Sequence, residues 1–244
     1  MTDAPLTQIW VYLAASPLLW LTATLVCYLI ALKIYRLGRE NALLNPVAIA
    51  VGLLIALLQL TGTPYQTYFD GAQFVHFLLG PATVALAIPL YRQRERLKTL
   101  ALPILAALLA GVTTAALSAV ALGALFGADT KTLISLAPKS VTAPVAMGIS
   151  EKLGGLPSLT AVLVVSTGIV GAVLGTGLLR LLRIRDDAVK GFAMGLTSHG
   201  IGTARAFQVS PVMGAFSGLA MALSAFVTAL LLPPLLRWIG LVGD

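Results

Sequence analysis

Two short polar stretches carry the side chains of this sequence that could do chemistry inside otherwise apolar segments. In the first, Ser135 to Pro144, Lys139, Ser140 and Thr142 follow Pro138. In the second, Thr197 to Ala206, Ser198, His199, Thr203 and Arg205 alternate with Gly200 and Gly202. A lysine ammonium is a strong point charge for a carboxylate, and nearby hydroxyls and freed backbone N–H groups complete such a site. A half-helix starting after Pro138 would add its N-terminal dipole in favour of an anion. His199 changes charge near physiological pH, so it can bind substrate or carry a proton. Arg205 reads equally as a second anion clamp or as an interfacial anchor. The plainer alternatives are a snorkelling lysine and a glycine-rich packing helix.

The elements that hold these residues must be membrane helices. The 244-residue chain is 58% hydrophobic and only 10% charged, with a mean hydropathy of +0.95. That excludes a soluble globular domain and a disordered chain. Its apolar runs are continuous over about 20 residues rather than alternating over about 10, which speaks for helices and against a β-barrel. The net charge of +7 does not signal nucleic acid, because the basic residues flank the ends of apolar runs as cytoplasmic loops do. Cys27 is the single cysteine, so no intrachain disulfide forms. No Cys/His cluster and no phosphate-binding loop occurs, so neither a metal nor a nucleotide cofactor is expected and the chain is not read as an enzyme.

Apolar segments run over 9–32, 46–62, 72–91, 99–126, 132–150, 157–182, 188–208 and 211–239. The first lacks a preceding basic segment and is too long for a signal peptide, so it reads as an uncleaved span with its N-terminus outside. Arg92 to Lys98 and Arg180 to Arg185 are the strongest basic loops. Simple counting places them on opposite sides if every segment crosses. They share the cytoplasmic side if 132–150 is re-entrant, which its polar interior favours. The expected fold is therefore an all-α polytopic membrane protein of seven to eight segments, with broken or re-entrant helices, forming one domain over 1–244. Eight full crossings remain the alternative. Pro81, within Phe77 to Thr83, would break the third segment, with His76 one turn before it. Pro81 and Pro138 stand 57 residues apart, as do Gly111 and Gly168, a faint internal repeat of the inverted kind.

Longer motifs then carry a resemblance. Asn45-Pro46, the run Phe77 to Tyr91, Pro138-Lys139-Ser140-Val141-Thr142, the run Ile149 to Thr160, Ser198-His199-Gly200-Ile201-Gly202-Thr203 and the run Gly214 to Met221 resemble the LrgB/CidB family from about Ser16 to Leu236. The family includes bacterial inner-membrane proteins described as holin- or antiholin-like and the membrane domain of the plastidic glycolate/glycerate translocator. The resemblance implies small 2-hydroxy or 2-oxo monocarboxylates as cargo, a link to murein hydrolase control, and a small LrgA/CidA-type membrane partner. Two positions depart from the family pattern: Pro211-Val212-Met213 replaces an acidic residue, and Gly148 stands where a Glu is frequent.

Combined, these readings give a secondary monocarboxylate transporter of the inner membrane that works by alternating access, as a homo-oligomer in the lipid bilayer without nucleic acid. Lys139, Ser140, Thr142, Ser198, His199 and Thr203 would bind substrate, and Pro81, Pro138, Gly200 and Gly202 would shape the breaks. The alternative is a holin- or antiholin-like protein that modulates murein hydrolase activity or export. A carboxylate-sized polar cavity lined by Lys139 and His199 would favour transport, and polar faces between protomers would favour the holin-like reading.

Overall fold

The computed structural model describes residues 17–78, 81, 84, 85 and 87–243, without the side chains of Pro17, Ala42 and His76. Among the described residues all regular structure is helical. Two compact units divide at residue 85.

The first unit holds α1 (Pro17–Leu37), α2 (Pro46–Thr61) and α3 (Tyr65–Phe77). Asn45 starts α2: its side chain accepts hydrogen bonds from the Val47 and Ala48 N–H groups at 2.9 and 3.1 Å, and Pro46 follows at a position that needs no donor. Gly62 ends the helix in the left-handed conformation, φ 61°. Trp20 of α1 is buried and meets Tyr68 of α3 edge-on, and the Tyr68 hydroxyl lies 3.1 Å from that of Thr24. Of the break expected near Pro81, Gly80, Ala82 and Thr83 lie outside the described residues. Helix α3 stops at Phe77, and Pro81 itself is helical and exposed.

The second unit contains α4 (Ala87–Arg92), α5 (Arg94–Thr99), α6 (Ala101–Leu125), α7 (Thr130–Leu136), α8 (Ala143–Lys152), α9 (Pro157–Leu181), α10 (Asp187–Val209) and α11 (Pro211–Trp238). Helices α6, α9 and α11, like α1, are long and apolar enough to cross a membrane. At 25 residues, α6 and α9 reach about 37 Å, beyond the roughly 30 Å hydrocarbon core. The run 132–150 behaves differently. It forms α7 and α8, of 7 and 10 residues, separated by non-helical 137–142, and neither could span alone. This is the broken, re-entrant element its polar interior announces.

A second departure concerns 188–208, which sequence counting treats as a crossing. Helix α10 is two helices that abut at a non-helical residue, His199 at φ 40°, ψ −133°. A straight helix of 23 residues would hold its ends about 34 Å apart. Instead the Ser210 hydroxyl donates to the Asp187 carboxylate at 2.8 Å, and a Cβ on Gly202 would come within 2.8 Å of the Met194 carbonyl. The chain therefore enters on 187–198, turns at His199, and returns on 200–209. Hydropathy alone cannot separate a hairpin of two half-length arms from one full-length helix, because the composition is the same.

Arg96, just before α6, pairs with Asp186, just after α9. The two long helices are thus antiparallel and their basic loops adjacent, as the density of positive charge suggests. Each is followed by a broken element, so α6–α7–α8 and α9–α10 form inverted counterparts. Both paired glycines face α10, Gly111 of α6 at Leu196 and Gly168 of α9 at His199.

Candidate functional site

The first tip, 137–142, is built by what flanks it. Pro138 is buried and removes a backbone donor at the break. Below it, the Ser135 hydroxyl accepts from the Leu156 N–H at 2.7 Å and donates to the Lys131 carbonyl at 2.7 Å. The fully buried Thr160 hydroxyl sits 3.1 Å from the Ser135 carbonyl and 2.8 Å from Ser150 Oγ. These bonds tie both arms to the start of α9. At the tip Lys139 is half-buried with Nζ 3.4 Å from Ser140 Oγ; Ser140 is buried. Thr142 precedes α8 without a side-chain cap bond.

The second tip depends on glycine. A Cβ on Gly191 or Gly195 would run into the carbonyls of Met213 and Ser217 on α11, so the entering arm lies directly on that backbone. A Cβ on Gly171 would collide with the Ser198 hydroxyl, and one on Gly168 would sit 2.6 Å from the His199 ring. His199 is 5% exposed, and its Nε2 donates to the Val164 carbonyl at 3.0 Å, since a carbonyl can only accept. The Thr203 hydroxyl donates to the His199 carbonyl at 2.8 Å and lies 2.9 Å from Ser217 Oγ. Gly202 packs against Ser198, whereas Gly200 has only Met221 sulfur nearby, 3.8 Å from an added Cβ.

Val164 links the tips: its side chain packs with Val141 and Ala146, and its carbonyl receives His199. Beside it a cavity of about 10 Å³ is lined by Pro138, Ser140 and Val141 of the first tip, Leu196 of the second, and Ser224 and Thr228 of α11. That is room for about one water molecule. Neither Lys139 nor His199 lines it. Sequence reasoning missed the α11 hydroxyls Ser217, Ser224 and Thr228, all buried. Their spacing of seven and four residues places them on one helix face, a signal present in the sequence. Arg205 is not at the tip. It lies near the mouth of the hairpin, half-buried, with Nη1 donating to Gln208 at 3.0 Å.

With this architecture described, relatives can be weighed. The model of the LrgB-like family matches residues 24–238. The chain belongs to the LrgB-like family. It is 37% identical over 215 residues to the "Uncharacterized protein YwbG" of Bacillus subtilis, covering 88% of this chain and 95% of that one. To the "Holin-like protein CidB" of Staphylococcus aureus it is 34% identical over 219 residues, 90% and 95% of the two chains. To that of Staphylococcus epidermidis it is 33% identical over 218 residues, 89% and 95%. No solved structure matches.

These relatives correct the expected function. The Staphylococcus relatives just described, which match nearly end to end, are called holin-like, so the monocarboxylate-transporter reading of the sequence gives way to its alternative.

Proposed function

We propose that this protein is a holin- or antiholin-like component of a bacterial inner membrane that modulates murein hydrolase activity or export. The observation that carries this reading is the end-to-end similarity to proteins named holin-like, over about nine-tenths of the chain. Charge orders the helices in that membrane. Arg92 to Lys98 and Arg180 to Arg185 face the cytoplasm, and the tips around Lys139 and His199 enter from opposite sides.

In this reading the six polar tip residues, Lys139, Ser140, Thr142, Ser198, His199 and Thr203, are the conformational core of the activity. Of these, His199 and Thr203 satisfy backbone carbonyls that hydrocarbon could not, so rearrangement of the tips would couple both halves of the second unit. Pro138, Gly200 and Gly202 set the geometry of the breaks. Self-association and a small LrgA/CidA-type partner would use the apolar outer faces.

The test is controlled expression in a bacterium, with murein hydrolase activity of the culture supernatant read by zymography. Expression at matched membrane levels should change that activity at least severalfold, and Lys139→Met should diminish the change. Unaltered hydrolase activity at confirmed membrane expression would overturn the reading.

A further inference from the structure

The mouth of the α10 hairpin opens on a cavity of about 530 Å³ that neither the tips nor the holin-like reading uses. Arg180, Arg183, Arg185, Lys190 and Arg205 line it, and no acidic side chain does. Three chain segments converge to produce this density: the end of α9, the turn after it where Arg183 adopts φ 57°, and both arms of α10. Lys190 is held 2.9 Å from Asp187 and Arg205 donates to Gln208 at 3.0 Å, so the exposed Arg180, Arg183 and Arg185 carry most of the field. Guanidinium forks match phosphate oxygens in pairs.

Apolar surface surrounds the charge. Thr176, Ile184, Val209 and Met213 complete the lining, and Val209 is 47% exposed at its edge. A soluble anion has no use for such a rim, whereas acyl chains do. We infer that this cavity binds the phosphate of an anionic phospholipid, headgroup among the arginines and chains against Ile184 and Val209. Basic pockets between helices at the cytoplasmic interface suit such headgroups.

Native mass spectrometry of the purified full chain, with phosphatidylglycerol, phosphatidylcholine or inorganic phosphate added, tests this. Phosphatidylglycerol should be retained at least tenfold better than phosphatidylcholine. The preference should shrink as salt rises before ionisation, a measurement that needs no variant. The exposed triple change Arg180→Gln, Arg183→Gln and Arg185→Gln should weaken retention ten- to hundredfold, with Arg→Lys replacements keeping most of it. Equal retention of both lipids, or a triple variant that melts normally and retains phosphatidylglycerol fully, would overturn the inference. Inorganic phosphate bound without any lipid preference would assign the cavity to a soluble anion and overturn the lipid assignment.

Discussion

The two re-entrant elements of the second unit solve one problem by opposite means. The first breaks over six residues, 137–142, at a buried proline, and hydroxyls bind its arms to α9. The second turns on a single strained residue, His199, and glycines press its arms onto α9 and α11. A proline break leaves several backbone groups to satisfy, so it must be surrounded by hydroxyl partners. A one-residue turn leaves few, so two side chains, His199 and Thr203, and close backbone packing enclose it. The first element should therefore be sensitive to lost polar atoms and the second to added carbon atoms.

Adding one methyl group to the second element should have the largest effect. In Gly195→Ala the new Cβ would overlap the Ser217 carbonyl, and backbone cannot rotate aside as a side chain can. A cost of about 3 kcal/mol or more is expected, at the upper end of overpacking. Its measure is the yield of monodisperse protein after detergent extraction. Gly148→Ala, with nothing within 4 Å, is the control in the first element and should extract normally. Equal yields would break the contrast between the elements.

Removing a polar atom from the first element comes next. Thr160→Val keeps the shape but strips the hydroxyl between the Ser135 carbonyl and Ser150 Oγ. Leaving such buried groups unsatisfied costs about 1–3 kcal/mol, read as a lower midpoint of thermal unfolding in detergent. Ser224→Ala on α11 should cost less, because its hydroxyl bonds only the Met221 carbonyl of its own helix.

How much of this was legible follows the same division. The proline element announces itself: Pro138 beside Lys139, Ser140 and Thr142 marks a break in any apolar run, and the structure places one there. The glycine element announces a break, at Gly200 and Gly202 beside His199, but not that the chain turns back there. Gly191, Gly195 and Gly202 look like an ordinary packing stripe, and only a tertiary contact, Ser210 to Asp187, reveals that the arms fold back. Side-chain direction was also hidden. Lys139 and His199 stand out equally in the sequence, yet neither faces the small cavity between the tips, which Leu196 and the α11 hydroxyls share instead. Function was less legible still: polar tips alone fit many tasks, and the proposed function rests on end-to-end similarity to named relatives.

Strain at His199 sharpens the comparison further. At an ordinary helical position Ala is more stable than Gly by about 1 kcal/mol. At φ 40° the order should reverse, with His199→Gly more stable than His199→Ala by about 1 kcal/mol, since only Gly relaxes in this region. Both variants lose the bond to Val164, so their difference isolates the backbone. Thermal unfolding of the pair measures it, and Ala above Gly would show that the turn is not strained.

The smallest expected effect lies at the mouth, where the two arms are joined by charge. The Lys190 ammonium, and after it the Ser210 hydroxyl, hold the Asp187 carboxyl below its ordinary range. A carboxyl whose folded-state pKa is depressed contributes stability that is complete above its unfolded pKa and is lost as pH falls through the lower, folded value. The hairpin should therefore loosen on acidification below the usual aspartate range, and Asp187→Asn should flatten that dependence while leaving neutral-pH stability little changed, as befits a partly exposed pair. Amide hydrogen exchange over 187–210, followed from neutral to acid pH in wild type and variant, reads the mouth directly. Exchange that accelerates identically in both proteins would show that the arms are closed by the glycine packing alone. The mouth of the second element would then owe nothing to this ion pair, which sharpens its contrast with the hydroxyl-bound arms of the first.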